Sequence, residues 1–376
     1  MKRAQQGLSL VELMVGVLIG MLTVVAISQV LMSAEGQKRT ASSGGDAQVN
    51  GTLALYALQR DVEMAGYGFT GQPAALGCPV KGKFGNGTGE KALPSSLSLV
   101  PALIKPGTTA ADPDTITVWQ SNKPNYAVPL RVAEAHLKTD TRFIVPSSLG
   151  VVAGDLLVAV PPTPSATDSC TVMVVAGDST TPLSSQQIPH LASAGGWNAA
   201  GSALVPDAGY PAGSHLINLG TGLPRTYSIS AGKSLVATDV LATSGGTSVQ
   251  TIAPQIVQLK ALYGKDTDGN GTIDAFNTTA PATNADWLQV MALRVAVVAQ
   301  SAQPEPVRGG GSPVTPAIGV EWVVDARTEN AVACSFDGSQ KCLRINVSGV
   351  GSDWRNYRYK VFDTVVPLRN MLWTRG

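Results

Sequence analysis

Charged and aromatic side chains are scarce in this chain of 376 residues, at 14% and 5% of the total. The formal net charge is +1, so the composition gives no broad basic face of the kind that binds nucleic acid. The three histidines, His136, His190 and His215, are scattered and pair with no cysteine or acidic ligand at metal-binding spacing. A G-x-S-x-G nucleophile motif is also missing. We therefore expect no nucleic-acid partner and no enzymatic activity.

Glycine and proline, in contrast, are abundant, with 40 and 24 residues. This composition favours a loop-rich β domain over a helical one. The length is sufficient for one large or two modest domains.

A long apolar segment, Gly7–Met32, lies near the N-terminus and has no charged residue from Leu13 onward. As a helix, that uncharged part would cover roughly 30 Å, the hydrocarbon thickness of a bilayer. Glu12 is the ionisable group at its edge, and Lys2 and Arg3 precede it. A secretory signal peptide is one interpretation, although Ala34-Glu35-Gly36 is a poor match to a small-residue cleavage site.

The residues QQG-LSLVEL around Gly7 and Leu8 resemble the leader of type IV pilins and pseudopilins. This resemblance implies that prepilin peptidase cuts after Gly7 and that the new N-terminal residue, Leu8, is N-methylated. The apolar segment would then stay on the mature protein. Lys2 and Arg3 predict a cytoplasmic leader, which places the rest of the chain in the periplasm as a single-pass inner-membrane protein.

Glu12 would be the fifth residue of the mature chain, where the resembled family also has glutamate. A carboxylate in a spanning helix costs about 2.5–3.5 kcal/mol on insertion scales, so it needs a partner. The resemblance implies that this partner is the N-terminal amine of a neighbouring subunit and that Glu12 acts in assembly. The alternative is a simple anchor whose Glu12 reaches the membrane interface.

Beyond Met32 the sequence becomes polar, and Gly44-Gly45 predicts a bend or break before a further helical pattern from Asp46 to Gly66. We expect a sheet to cover the apolar stripe of that part. The expected organisation is a leader (residues 1–7), a transmembrane helical half (8–34), an extracytoplasmic helical half (35–66) and a β-rich globular domain (67–376). The stripe comprises Val49, Leu53, Leu55, Tyr56, Leu58, Val62 and Ala65.

Short β-rich segments recur between turn residues and predict antiparallel strands. Trp287–Gln300 predicts a short helix that runs into a strand, and Tyr357–Trp373 includes an edge strand with one charged face. We interpret Pro73–Pro106 and Thr181–Pro224 as long surface loops or small insertions because they lack periodicity. The other predicted strands are Thr115–Trp119, Val128–Val132, Arg142–Val145, Asp155–Val160, Cys170–Val175, Arg225–Ser230, Ser234–Thr238 and Gln255–Gly264.

Four cysteines in an exported chain predict disulfides. Cys334 and Cys342 bracket a hairpin-like loop, so we predict that they pair and that Cys78–Cys170 is the second bond. Free buried thiols are the alternative.

One segment matches the ligand spacing of an EF-hand calcium loop. Its oxygen-bearing residues occupy loop positions 1, 3, 5, 7 and 9, with Gly271 at the sharp turn. Position 12 is Asn277, where an EF-hand has a bidentate glutamate, and no flanking helices are indicated. The segment therefore predicts either a weak structural calcium site or a hairpin turn with solvated acidic residues. The candidate ligands are Asp266, Asp268, Asn270, Thr272 and Asp274.

Four further motifs, dispersed over most of the chain, resemble the PilW family of minor type IV pilins. They are AGYGF (65–69), LYGKDTDGNG (262–271), DW…LRVAVV (286–298) and YRY…VPLRN (357–370). The resemblance implies an α+β, pilin-like fold, in which a long N-terminal helical spine packs on an antiparallel β-sheet domain with long loops.

The same resemblance implies a minor pilin that joins other minor pilins in a priming complex at the pilus tip. Such a complex starts pilus assembly, supports adhesion or twitching motility, and has a PilY-type adhesin as a further expected partner. A more distant similarity to the J-type pseudopilin of type II secretion leaves that function as the alternative.

Overall fold

The computed structural model describes residues 10–85, 90–95, 97–124, 128–165, 168–177, 183–190, 196–198, 201–241, 246–305 and 312–372. Its helices are α1 (Leu10–Glu63), α2 (Asn284–Leu288) and α3 (Arg369–Leu372). The first strands are β1 (Cys78–Lys81), β2 (Lys83–Gly85), β3 (Glu90–Ala92), β4 (Ser98–Leu99), β5 (Ala102–Lys105), β6 (Thr115–Val118), β7 (Leu130–Arg131), β8 (Arg142–Ile144), β9 (Leu156–Val160), β10 (Cys170–Val174) and β11 (Gln187–Pro189). The later strands are β12 (His215–Gly220), β13 (Gly222–Ile229), β14 (Ser234–Leu241), β15 (Thr247–Pro254), β16 (Ile256–Lys265), β17 (Ala275–Asn277), β18 (Val290–Gln300), β19 (Val320–Val324), β20 (Val332–Ala333), β21 (Lys341–Ile345) and β22 (Tyr359–Pro367).

Helix α1 has 54 residues and is therefore about 80 Å long. Its first part, Leu10–Met32, has a mean hydropathy of 2.5 and is entirely unburied, and its length and composition would allow it to cross a membrane. The helix ends at Glu63, close to the predicted stop at Gly66. Gly66 adopts a φ of +83°, and its N–H donates to the carbonyl of Trp119 over 2.8 Å.

The predicted break at Gly44-Gly45, with a new helix from Asp46, is wrong, because α1 runs through all three residues. Contacts made by the residues on either side of the two glycines keep this part of the chain helical. The buried Ser43 Oγ accepts a hydrogen bond from the Ala302 N–H over 2.7 Å, and Ala47 is buried one turn later. These contacts offset the cost of interior glycines, about 1 kcal/mol each.

The strands form several sheets rather than the one sheet that the sequence predicts. Two of them lie along α1: a five-stranded sheet in the order β15-β14-β13-β6-β5 and a four-stranded sheet in the order β17-β16-β18-β22. A three-stranded sheet, β19-β21-β20, and a six-stranded sheet, β4-β1-β10-β9-β12-β7, complete the larger assemblies. Among the described strands, those that pair are antiparallel, except that β1 and β10 are parallel. An apolar N-terminal helix with a mostly β domain is an α+β architecture.

Three apolar clusters form the core. The largest joins the buried face of α1 to the sheets beside it, and the third lies between the four-stranded and three-stranded sheets. The second cluster lies on the far side of the six-stranded sheet and contains Phe143 and Tyr210.

The interpretation of 73–106 and 181–224 as long surface loops is wrong. The first range contains β1 to β5, and the second contains β11, β12 and the start of β13. Strands of two to four residues are too short to show an alternating pattern, which explains the first error. Strand β12 lies between β9 and β7 and is buried from Leu216 to Gly220, so it shows no alternation either.

Both predicted disulfides are present. Cys78–Cys170 joins the parallel strands β1 and β10 across a separation of 92 residues, and Cys334–Cys342 closes a loop across 8. In the chain-entropy description, the disulfide that closes the longer loop stabilises the fold by about 4–5 kcal/mol. The disulfide that closes the shorter loop contributes about 2–3 kcal/mol.

Candidate assembly helix and calcium loop

The predicted assembly residue Glu12 lies in the first turn of α1, among exposed apolar side chains. Leu10 and Leu13 are 75% and 59% exposed. Among the residues that the structure describes, no hydrogen bond or ion pair reaches the Glu12 carboxylate. The predicted cleavage and methylation site, Gly7 and Leu8, lies outside the described residues.

The second half of α1 has two apolar faces, whereas the sequence predicted one covered stripe. Leu58 and Val62 are fully buried against the sheets. Val49, Leu53 and Tyr56 point away from them and are 67%, 48% and 65% exposed. The prediction that a sheet covers these three side chains is wrong. They form a second exposed apolar surface on α1, separated from Met32 by the largely polar residues 33–48. We call them the outer stripe.

A buried charge network attaches α1 to the five-stranded sheet. Asp61 Oδ2 accepts hydrogen bonds from the Tyr227 hydroxyl (2.6 Å) and from Arg225 Nη1 (2.9 Å). Arg225 also binds Asp239 through Nε (2.7 Å) and Nη2 (2.9 Å). Burial and the Asp61 carboxylate raise the pKa of Tyr227, and hydrogen bonding to Asp239 raises the pKa of Arg225. Arg225 is therefore a cation at neutral pH, and it lies between Asp61 and Asp239.

Helix α1 also packs closely on β22, where the backbone of the helix lies against an aromatic ring. Gly51 lies under the ring of Phe362, and a Cβ at Gly51 would be 2.2 Å from the nearest ring carbon. One helical residue away, Asn50 Nδ2 donates to Gln255 Oε1 over 2.8 Å. The spine position is therefore set by specific contacts at Gly51 as well as by apolar burial.

The predicted calcium ligands lie together in the hairpin that joins β16 to β17. Carboxylate oxygens of Asp266, Asp268 and Asp274 all lie within 4.8 Å of one another. Asp266 is buried, and its oxygens accept the backbone N–H groups of Gly269 (2.8 Å) and Gly271 (3.1 Å). Gly271 has a φ of +84°, the left-handed conformation that the sharp turn of such a loop requires.

The other side chains of the loop bond within it. Asn270 Nδ2 donates to Asp268 Oδ2 over 2.8 Å, and Thr272 Oγ donates to Asn270 Oδ1. Thr267 donates its N–H to Asp274 Oδ2 over 2.7 Å, which lowers the pKa of Asp274. The carboxylate oxygens of the loop are therefore gathered in one place, a donor set that suits a hard cation such as Ca²⁺.

Position 12 of the loop differs from an EF-hand in the structure as well as in the sequence. Asn277 Nδ2 donates to Glu329 Oε1 over 3.0 Å, while Asn277 Oδ1 is buried and has no hydrogen-bond partner among the described residues. The loop is also fixed from outside, because Arg327 Nη1 donates to the carbonyl of Ile273 over 2.6 Å. The arrangement is a hairpin turn, as one sequence-based alternative predicted, and it has most of the ligands of a calcium site.

A histidine pair lies beside the second core cluster, and no sequence pattern indicates it. His136 Nε2 and His190 Nε2 are 2.7 Å apart, and the His136 ring stacks on Phe143 with centroids 3.9 Å apart. Burial lowers the pKa of His136, and burial followed by the neighbouring His136 lowers the pKa of His190 to about 4. No sequence signal could reveal this pair, because 54 residues separate its members.

Comparison with known proteins gives one finding. Residues 226–370 match the model of a family described as Type IV Pilus-assembly protein W, PilW. This range begins in β13 and ends in α3, so it includes the hairpin with Asp266, Asp268 and Asp274 and the four-stranded sheet that packs on α1. No curated protein and no solved structure matches the chain.

Proposed function

We propose that this chain, whose residues 226–370 assign it to the PilW family of type IV pilus assembly proteins, acts as a minor pilin. The family implies a role in type IV pilus assembly. The more specific proposal is that the chain joins other minor pilins in a priming complex, which remains at the pilus tip and supports adhesion or twitching motility. Its fold is then pilin-like, and its role is structural rather than catalytic.

The main support for this proposal is the unburied apolar half of α1. Leu10–Met32 is 0% buried, so water is an unfavourable environment for it and a bilayer or a bundle of like helices is favourable. Glu12 lies in that half without a partner among the described residues. In a bundle of parallel helices, the free amine of a neighbouring mature chain would neutralise this carboxylate.

The outer stripe supports the same proposal for the extracytoplasmic half. Val49, Leu53 and Tyr56 lie on one face of α1 and form a second exposed apolar surface, after the largely polar residues 33–48 that follow the apolar half. A neighbouring subunit that packs along the spine would cover both. The chain would be held in the inner membrane before assembly, with its β-rich domain in the periplasm, and a PilY-type adhesin is a further candidate partner.

We also propose that the hairpin at 266–274 binds Ca²⁺ as a weak structural site. The three gathered carboxylates would give the ion most of its ligands, and Asn270 and Thr272 would supply the others. Since Asn277 replaces the bidentate glutamate, we expect affinity in the range of extracellular modules, about 10⁻⁴ M.

Replacement of Glu12 by alanine tests the assembly proposal. In a strain with this variant as its single copy, we expect the protein to remain in the membrane while surface pili become scarce in electron micrographs. Glu35→Ala is the matched control, because Glu35 is an exposed carboxylate on the same helix. Normal piliation with Glu12→Ala would contradict the mechanism.

Two further measurements address the processing of the chain and the alternative function. N-terminal sequencing of the membrane-extracted chain should begin at Leu8. Deletion of the gene should abolish twitching motility; a loss of enzyme secretion with normal twitching would instead favour the J-type pseudopilin of type II secretion.

A further inference from the structure

Strand β15 is an unguarded edge of the five-stranded sheet. It has 8 residues, from Thr247 to Pro254, and it pairs with β14 on one side. Within the described residues no strand pairs with its other side. Its sequence, TSVQTIAP, contains no charged residue. A register irregularity at Ile252 and the final proline affect its C-terminal end, so the regular open edge is Thr247–Thr251.

Both faces of this strand are open to solvent over most of its length. Thr247 to Thr251 are all exposed, and Val249 is 63% exposed. An edge strand presents a row of unpaired N–H and C=O groups that can pair with another chain. Proteins usually block such edges with charges, prolines, bulges or covering segments.

The other long edge strand of the domain is guarded in this way. Strand β22 has Lys360 and Asp363. Strand β5, at the opposite edge of the five-stranded sheet, has four residues and ends in Lys105. Unlike β22 and β5, β15 therefore has no charged residue to oppose the addition of a further strand.

The unguarded edge also adjoins the spine. Helix α1 contacts β15, and Asn50 of α1 bonds Gln255, the residue that follows the strand. The outer stripe begins at Val49, one residue before Asn50. A neighbouring subunit that covers the outer stripe would thus lie next to the free edge of β15.

We propose that β15 accepts an extended, uncharged segment of a neighbouring pilus subunit as an added strand, so that the sheet continues from one subunit into the next. This inference rests on the proposed role in pilus assembly. Backbone hydrogen bonds would supply the attraction, and the absence of charge on β15 would disfavour a charged segment.

The geometry excludes a symmetric pair of β15 strands from two copies. Helix α1 lies across the face of the five-stranded sheet, since Asn50 bonds Gln255 beside β15 and Asp61 bonds Tyr227 on β13. Antiparallel pairing of two identical edges requires a two-fold axis normal to the sheet. That axis would reverse one α1 relative to the other, whereas both must enter the same membrane from the same side. The partner is therefore a different strand of a subunit in the same orientation.

Site-specific photo-crosslinking in cells tests the proposal with the full chain. A photoreactive residue replaces Val249 in one strain and Val128 in another, because Val128 is 67% exposed and lies outside the five-stranded sheet. We expect an adduct with another pilus subunit from position 249 and none from position 128. The double variant Val249→Lys, Thr251→Lys should lower the yield of assembled pili about tenfold, since charges oppose edge pairing.

The control for the lysine variant is Val128→Lys combined with Leu149→Lys, both at exposed positions. Circular dichroism of the purified full chains should be the same for both double variants. If position 249 gives no adduct while Glu12→Ala, tested in its own strain, does block assembly, strand addition would be overturned. The proposed function would then still stand. An adduct between two copies through position 249 would also overturn strand addition, whereas normal assembly of Glu12→Ala would count against the proposed function itself.

Discussion

The hydroxyl of Tyr227 on β13 donates a hydrogen bond of 2.6 Å to Asp61 on α1. Asp61 is 7% exposed, so this contact joins the long N-terminal helix to the sheet through a buried side chain. The same oxygen binds Arg225, and the three side chains form one unit.

Replacement of Asp61 by alanine should loosen the spine from the sheet. The change leaves the Tyr227 hydroxyl unpaired and removes one carboxylate from Arg225, whose side chain is 34% exposed and keeps Asp239. We expect the free energy of unfolding to fall by about 2 kcal/mol, because solvent screens part of the charge effect. Urea denaturation of the full chain in detergent measures it. Asp46→Ala, at an exposed position on the same helix, should change stability by less than about 0.5 kcal/mol, and an equal effect of both variants would refute the role of Asp61.

A methyl group at Gly51 should displace the ring of Phe362. The added Cβ would lie 2.2 Å from a ring carbon, so the ring or the helix must move. Overpacking of this kind costs about 1–3 kcal/mol, more than the roughly 1 kcal/mol that alanine adds to helix propensity. Gly51→Ala should therefore lower the melting temperature. Adding Phe362→Leu should restore part of the loss, and Gly44→Ala, which has open space around it, should not lower the melting temperature at all.

The sequence predicted the parts of the fold that have strong local signals. The strand Ile256–Lys265, the helix that runs into Val290–Gln300, the edge strand at Tyr359–Pro367 and both disulfides were all foreseen. These segments are long or have chemistry of their own. The helical path through Gly44-Gly45 depends on Ser43 and Ala302, which are 259 residues apart, so local propensity gave the wrong answer there.

The candidate sites also divide into those with a local sequence signal and those that join distant segments. The ligand spacing of the calcium loop is local and was visible in the sequence, whereas the Asp61 network and the histidine pair join distant segments. The outer stripe could not be separated from the buried face, because apolar residues alternate between two faces of α1. Which face a sheet covers is decided by packing and not by hydrophobicity alone.

Acid should destabilise the domain before its carboxylates titrate. The folded chain holds His136 and His190 at pKa values below the ordinary 6.5, with His190 at about 4, so the unfolded chain binds more protons below pH 6.5. Stability is therefore complete above about pH 6.5 and declines as the pH falls toward 4, by up to about 1.4 kcal/mol per pH unit for each proton. Thermal melts at a series of pH values measure this slope.

The variant His190→Gln should flatten that slope, because a glutamine does not titrate. Asp140, the acidic group whose charge raises the pKa of both histidines, opposes but does not cancel the effect of burial. His215→Gln is the comparison: the pKa of His215 is also lowered, but the side chain is more exposed than His136 and has no histidine partner. It should remove a smaller part of the slope, and an unchanged slope in His190→Gln would contradict the assignment.

Calcium should raise the stability of the wild-type chain and leave a loop variant unaffected. With a dissociation constant of about 10⁻⁴ M, a hundredfold excess near 10 mM should add about 2.7 kcal/mol to the free energy of unfolding. The melting temperature should rise with CaCl₂ and return to its starting value with a chelator. MgCl₂ should have a smaller effect, because Mg²⁺ requires a tighter octahedral site.

Asp268→Asn is the most informative variant of the loop. Asp266 holds backbone N–H groups of the turn, so its loss would disturb the fold, whereas Asp268 is exposed and bonds Asn270 within the loop. Asp268→Asn should keep the melting temperature measured without calcium and lose most of the calcium-dependent rise. Asp207→Asn, which alters a carboxylate that is 97% exposed outside the loop, should keep the full rise. If the melting temperature of the wild-type chain does not respond to calcium, the calcium proposal is wrong. The loop is then a hairpin turn with solvated acidic residues.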